Sequence, residues 1–169
     1  MKLATTVQAE PILVGLGELR TATTPEGVLI SVGLGSCVAL CLHDPWKHIA
    51  GMAHMVLPVS GEGRRIGLES KFVDRAVPLL LAEMERLGAG RGRMVAKLTG
   101  GAQMINGLGA MGQQHIGERN ADAARAALLD LGLEVQSEDT GGRSGRTARF
   151  YAGTGKLVIS LIGGDTYEL

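Results

Sequence analysis

The chain has 169 residues, 45% of them apolar, and its 17 lysines plus arginines balance 17 aspartates plus glutamates. That charge balance supplies no global field for nucleic acid or an anionic membrane surface, and one Trp, two Tyr and two Phe give little material for base stacking. No 18-residue uncharged apolar run offers a membrane span, and the amino terminus lacks the apolar stretch of a secretory signal, so a cytoplasmic protein without membrane insertion is expected. A chain of this length can bury about 70% of its unfolded surface as one domain, here residues 1–169.

Two β-like runs come first, Ile12–Arg20 and Val28–Val32. Residues 36–43 (SCVALCLH) and 48–57 (HIAGMAHMVL) then read as a hairpin around the turn formers Asp44-Pro45-Trp46-Lys47. The period changes after residue 70: Phe72, Val73, Ala76, Val77, Leu80, Leu81, Met84 and Leu87 mark one face of a helix. Ser70 is its expected cap and Gly88 its stop, with Pro78 inside. Arg93–Leu98 reads as a strand ending in Thr99-Gly100-Gly101, and a second helix is expected from Asn120, a good N-cap, to Gly132. Strands at Leu133–Glu138, Arg146–Ala152 and Leu157–Ile162 complete the pattern. Hairpin connectivity with two helices predicts an α+β fold: a layered sandwich of mainly antiparallel β-sheets with two principal helices packed on one side.

The hairpin carries the candidate chemistry. Pairing residue 43 with residue 48 sets Cys37 opposite His54, with Cβ atoms about 4.5–5.5 Å apart, which is how a Cys–His dyad is built. Gly33 and Gly35 allow close backbone approach just before the thiol, so the amides of Gly35, Ser36 and Cys37 are candidates for an oxyanion site. Cys41 reads as core filling; the two cysteines, about 13 Å apart on one strand, cannot bridge and fit a reducing compartment. His43 and His48 are expected to face solvent, and His115 is left without a role.

Gly107–Gly112 matches G-x-G-x-x-G but lacks the strand before it and the helix after it. Gly153-Thr154-Gly155-Lys156 resembles the end of a phosphate-binding loop, yet Leu157 stands where Ser or Thr should hold magnesium, so it reads as a turn. The basic, glycine-rich loop around Arg143 and Arg146 is a candidate for docking an acidic protein surface.

Taken together, GLGSCVA (33–39), Asp44-Pro45, GMAHMVLP (51–58), KLTGGA (97–102), IGERN (116–120) and DTGG (139–142) resemble the CheD family of chemoreceptor glutamine deamidases across almost the whole chain. The resemblance implies a layered sandwich fold, glutamine side chains of methyl-accepting chemotaxis receptors as substrate, and a possible second partner, a CheC-type phosphatase of the response regulator. It also implies a cysteine nucleophile, a histidine and an upstream hydroxyl, falling here on Cys37, His54 and Ser31. Ser31 stands where well-known members carry Thr, and as the third member of a triad its hydroxyl is expected to hydrogen-bond His54. Such thiol chemistry requires no metal or organic cofactor, and a glutamate methyl ester could react in the same way.

Overall fold

The two hairpin strands have no polar face: β4 (Val38–Asp44) and β5 (Ile49–Met55) are buried at every position. Strands covered on both faces read as continuous apolar runs instead of alternating ones, and they belong at the centre of a layered structure. A computed structural model, describing residues 9–61, 68–104 and 115–169, has this arrangement. The remaining strands are β1 (Ile12–Leu13), β2 (Leu19–Ala22), β3 (Val28–Leu34), β6 (Val95–Gly100), β7 (Val135–Thr140), β8 (Arg146–Tyr151), β9 (Leu157–Leu161) and β10 (Thr166–Glu168). One sheet runs β1-β3-β8-β9-β10 and the other β2-β5-β4-β6-β7. Antiparallel pairs dominate, with β1·β3 and β6·β7 parallel.

Helices α1 (Val73–Arg86) and α2 (Ile116–Asp130) cover the outer face of the second sheet. Val38, Leu40, Leu42, Ala53 and Met55 meet Val73, Val77, Leu80, Met84, Ala124 and Leu128 there. Each large aliphatic side chain buried in this layer contributes roughly 1.5–3 kcal/mol relative to exposure. Gly51 lets α1 approach, since a Cβ there would stand 2.8 Å from both Leu80 Cδ1 and Met84 Sδ. The opposite face of the same sheet packs Cys37, Ala39, Cys41, Ala50 and Met52 against Leu29, Ala148, Phe150, Leu157 and Ile159 of the first. The fold is therefore the expected α+β sandwich, layered helix, sheet, sheet.

Several boundaries move. The expected Ile12–Arg20 strand is two strands in different sheets, because Gly15-Leu16-Gly17, with Gly17 at φ +71°, carries the chain from one to the other. Ser70 does not cap α1; it lies in a 3-10 turn and donates its hydroxyl to the Gly17 carbonyl, while Phe72 occupies the cap position. Gly88 ends that helix as expected, in a left-handed conformation at φ +98°. Asn120 is no N-cap either: α2 begins four residues earlier, and Asn120 lies inside it, fully buried. The hairpin turn also slides, closing on Asp44↔Ile49 with Pro45–His48 as its loop. Asp44 accepts from the Trp46 and Lys47 amides and pairs with Arg93, which gives the turn its shape. His43 is buried against the Ala152 carbonyl and half-buried His48 meets the Gly153 carbonyl, so neither faces solvent as expected. Gly153–Lys156 is the turn between β8 and β9, whereas the Gly107–Gly112 motif lies outside the described residues.

Candidate active site

The hairpin register pairs Ala39 with His54 and Val38 with Met55, two residues away from the expected Cys37–His54 pairing. Side chains alternate with period two, so this slip leaves the face unchanged. Ala39 and Cys37 both point between the sheets, and so does His54 opposite Ala39. Cys37 and His54 are thus brought to one face as diagonal neighbours across Ala39.

His54 is held on three sides. Its amide donates to the Glu18 carbonyl and its carbonyl accepts from Gly17, each at 2.9 Å, which extends the β2·β5 ladder past Leu19. Its ring is 2% exposed, and Nδ1 lies 3.3 Å from the Val14 carbonyl. A carbonyl accepts only, so Nδ1 carries the proton and Nε2 keeps a free lone pair. That Nε2 is buried and has no partner. Burial holds the imidazole below its ordinary pKa, opposed by the bond to Val14, so the ring is neutral near pH 7 and suited to accept a proton.

Cys37 is 9% exposed on a loop whose backbone is committed inward at three consecutive carbonyls. Gly35 O accepts from Ala102 N at 2.8 Å, Ser36 O from Asn120 Nδ2 at 2.9 Å, and Cys37 O from Gly101 N at 2.7 Å. The amides of Ser36 and Cys37 donate to no backbone carbonyl among the described residues. Burial pushes the Cys37 thiol above its ordinary pKa, partly offset by the residue's own N–H, which favours the thiolate. Cys41 is fully buried, its thiol pushed far up by burial, as expected of core filling.

Ser31 is fully buried, but its hydroxyl does not bond His54 as expected. It donates to Val14 O at 3.0 Å and lies 3.3 Å from Met52 Sδ. The Val14 carbonyl, with two lone pairs, accepts from Ser31 and from His54 together, so the hydroxyl reaches the ring only through the main chain. Sequence reasoning missed Val14 because a carbonyl leaves no trace in side-chain chemistry. It also missed Thr99, which lies across Ala39 in the same row as His54, its buried hydroxyl without a partner.

Arg146 needs a further correction. It is 3% exposed, bound to Asp139 Oδ2 at 2.6 Å, to Asp139 O at 2.7 Å and to the Gly141 carbonyl. A guanidinium so committed pins the β7–β8 turn and is no surface docking charge. Arg143 is exposed on that turn. Apolar side chains are also exposed on neighbouring stretches of chain: Val32 after Ser31, Leu57 after Val56, and Met104, whose side chain packs over Gly35.

Among the described residues no helix is long and apolar enough to cross a membrane, and no three His, Cys, Asp or Glu side chains are grouped to hold a metal ion. Residues 56–161 match the family model described as CheD chemotactic sensory transduction. The chain is 45% identical over 148 residues to the probable chemoreceptor glutamine deamidase CheD of Archaeoglobus fulgidus, covering 88% of this chain and 91% of that protein. It is 43% identical over 157 residues to the Symbiobacterium thermophilum protein of the same name, covering 92% and 95%. A solved structure, the hypothetical protein YfiH of Bacillus licheniformis, is similar at TM-score 0.47 and 14% identity over 74% of this chain and 51% of that one, a likeness too slight to carry an argument. With its motifs spread over the chain and relatives matching along nearly their full length, this chain belongs to the CheD family.

Proposed function

We propose that this protein converts glutamine side chains of chemotaxis receptors to glutamate, with Cys37 as nucleophile and His54 as general base and acid. One observation carries the mechanism: His54 Nε2 is buried, unprotonated and without a partner, on the same face as the Cys37 thiol. The names of the relatives supply the substrate class.

Attack begins with the thiol proton passing to His54 Nε2 as Sγ bonds to the glutamine amide carbon. The carbonyl electron pair moves onto oxygen, and the amides of Ser36 and Cys37, which donate to no backbone carbonyl among the described residues, are the donors available to that oxyanion. The Gly35 carbonyl accepts from Ala102 N, and the Ser36 N–H of the same trans peptide points the opposite way. Collapse of the tetrahedral adduct breaks the C–N bond, and the imidazolium returns its proton to the leaving nitrogen, which departs as ammonia. Water then gives a proton to Nε2 and its oxygen attacks the thioester; Sγ leaves, is reprotonated, and glutamate remains. A glutamate methyl ester would follow the same course with methanol as the leaving group.

The exposure of Val32, Leu57 and Met104 supports contact with an apolar stripe of a receptor helix, and the exposure of Arg143 supports its pairing with receptor glutamates. Mass spectrometry of a receptor cytoplasmic fragment incubated with the protein is the direct test, since each conversion of NH₂ to OH adds about one mass unit. Conversion should vanish in Cys37→Ala and persist in Cys41→Ala. Wild-type conversion by Cys37→Ala would refute the nucleophile. No conversion by the intact chain, with binding to a CheC-type phosphatase retained, would favour an adaptor role.

A further inference from the structure

Behind the sheet that carries the two candidate side chains, a buried amide on α2 bridges the main chain next to each of them, and the reaction scheme leaves it unused. Asn120, in the second turn of α2, is fully buried, and its Nδ2 donates at 2.9 Å to the Ser36 carbonyl and at 2.9 Å to the Val56 carbonyl. Ser36 immediately precedes the nucleophile, and Val56 follows His54 by two residues. One NH₂ group therefore ties the loop carrying the thiol to the strand end carrying the imidazole. The helix can come this close because Gly117 rests on the backbone of Gly101; a Cβ on Gly117 would stand 2.5 Å from the Gly101 carbonyl oxygen. Asn120 Oδ1 is buried without a partner, a cost that a purely space-filling residue would avoid.

We propose that Asn120 is a positioning residue: by fixing the Ser36 carbonyl it aims the Cys37 N–H at the thiol and at the oxyanion that forms beside it. The reason is geometric. The Ser36 carbonyl and the Cys37 N–H belong to one planar trans peptide and point in opposite directions, so anchoring one aims the other. The Cys37 N–H also favours the thiolate of its own side chain, against the larger effect of burial. A free Ser36–Cys37 peptide could rotate and lose that donor both in the resting site and in the transition state.

This inference rests on Cys37 being the nucleophile, and its test separates the two. Asn120→Ala removes both hydrogen bonds, and Asn120→Leu removes them while filling the space. Receptor-fragment deamidation should show kcat lower by about 10²-fold, the loss typical of one misplaced oxyanion donor, with KM within about twofold of wild type. The pH midpoint of Cys37 alkylation by iodoacetamide should rise by about one unit as the thiolate loses its amide. A structural asparagine would instead lower the melting temperature while leaving kcat and the alkylation profile of the folded fraction at wild-type values; that result overturns the proposal. So does failure of both variants to fold, which would make Asn120 a folding residue. Full turnover by Cys37→Ala would defeat the nucleophile assignment itself, whereas loss in Cys37→Ala with full turnover in both Asn120 variants defeats only the positioning role.

Discussion

The resting protonation state of the Cys37–His54 pair can be tested without any receptor. Burial raises the Cys37 thiol above its ordinary pKa, against the smaller effect of its own N–H, and burial lowers His54, against the Val14 carbonyl. Both shifts favour the neutral forms, so the resting site holds a thiol and a neutral imidazole. A preformed thiolate–imidazolium pair would need the opposite shifts. An ordinary thiol with pKa about 8.5 is only ~3% thiolate at pH 7, and Cys37 should be less ionised than that. Alkylation by iodoacetamide should therefore accelerate about tenfold per pH unit between roughly pH 6 and 8, with no plateau, following the thiolate fraction. Fully buried Cys41 should contribute little, and Cys37→Ala supplies the blank. His54→Ala should leave the alkylation midpoint nearly unchanged while abolishing deamidation, because the imidazole acts when the proton moves and does not stabilise a standing thiolate. A pH-independent alkylation rate between pH 5 and 7.5, abolished by His54→Ala, would show an ion pair and refute the reasoning.

Ser31→Ala should lower deamidation several-fold without eliminating it, since Val14 O keeps its contact with His54 and loses one of two donors; Ser31→Thr should preserve activity, and turnover of Ser31→Ala equal to wild type would remove Ser31 from the site. Arg146→Ala should cost roughly 3–5 kcal/mol of stability in denaturant titration by leaving Asp139 and the turn carbonyls without their cation, whereas Arg143→Ala should raise KM at low salt and leave stability alone. An Arg146→Ala protein as stable as wild type would restore that residue as a surface charge. Acid should act in two windows. His54 and His43, both lowered chiefly by burial, contribute stability that is present above about pH 6.5 and lost as pH falls through their folded values. Burial opposes ionisation of Asp44, but Arg93 and the amides of Gly90, Trp46 and Lys47 outweigh it and bring its pKa down to about 2. Its contribution of about 2 kcal/mol should disappear between about pH 4 and 2; an unchanged acid slope in Asp44→Asn would contradict this.

The sequence by itself determined the elements with strong periodic signals and the shared face of Cys37 and His54 on the hairpin. Apolar spacing placed α1, Gly88 and Gly132 marked helix ends, and the turn formers at 44–47 located the hairpin. The expected register was two residues off, yet Cys37 and His54 still share a face, because a slip of two residues preserves the alternation of side chains whereas a slip of one would have separated them. What the tertiary structure decided was where polar groups find partners. A serine before a helical pattern could cap it, but Ser70 reached the Gly17 carbonyl instead. An arginine in a glycine-rich loop could stay solvated, but Arg146 found Asp139 and turned inward. Asn120 could have begun a helix, but the helix started earlier and delivered its amide to Ser36 and Val56. Val14 has no chemistry as a residue type; the crossing between sheets made its carbonyl the shared acceptor of Ser31 and His54. Period and turn chemistry act between neighbours in the chain and can be read along it. Hydrogen bonds between residues tens of positions apart exist only once the sheets have closed on each other, and here they orient the His54 ring and the loop that carries Cys37.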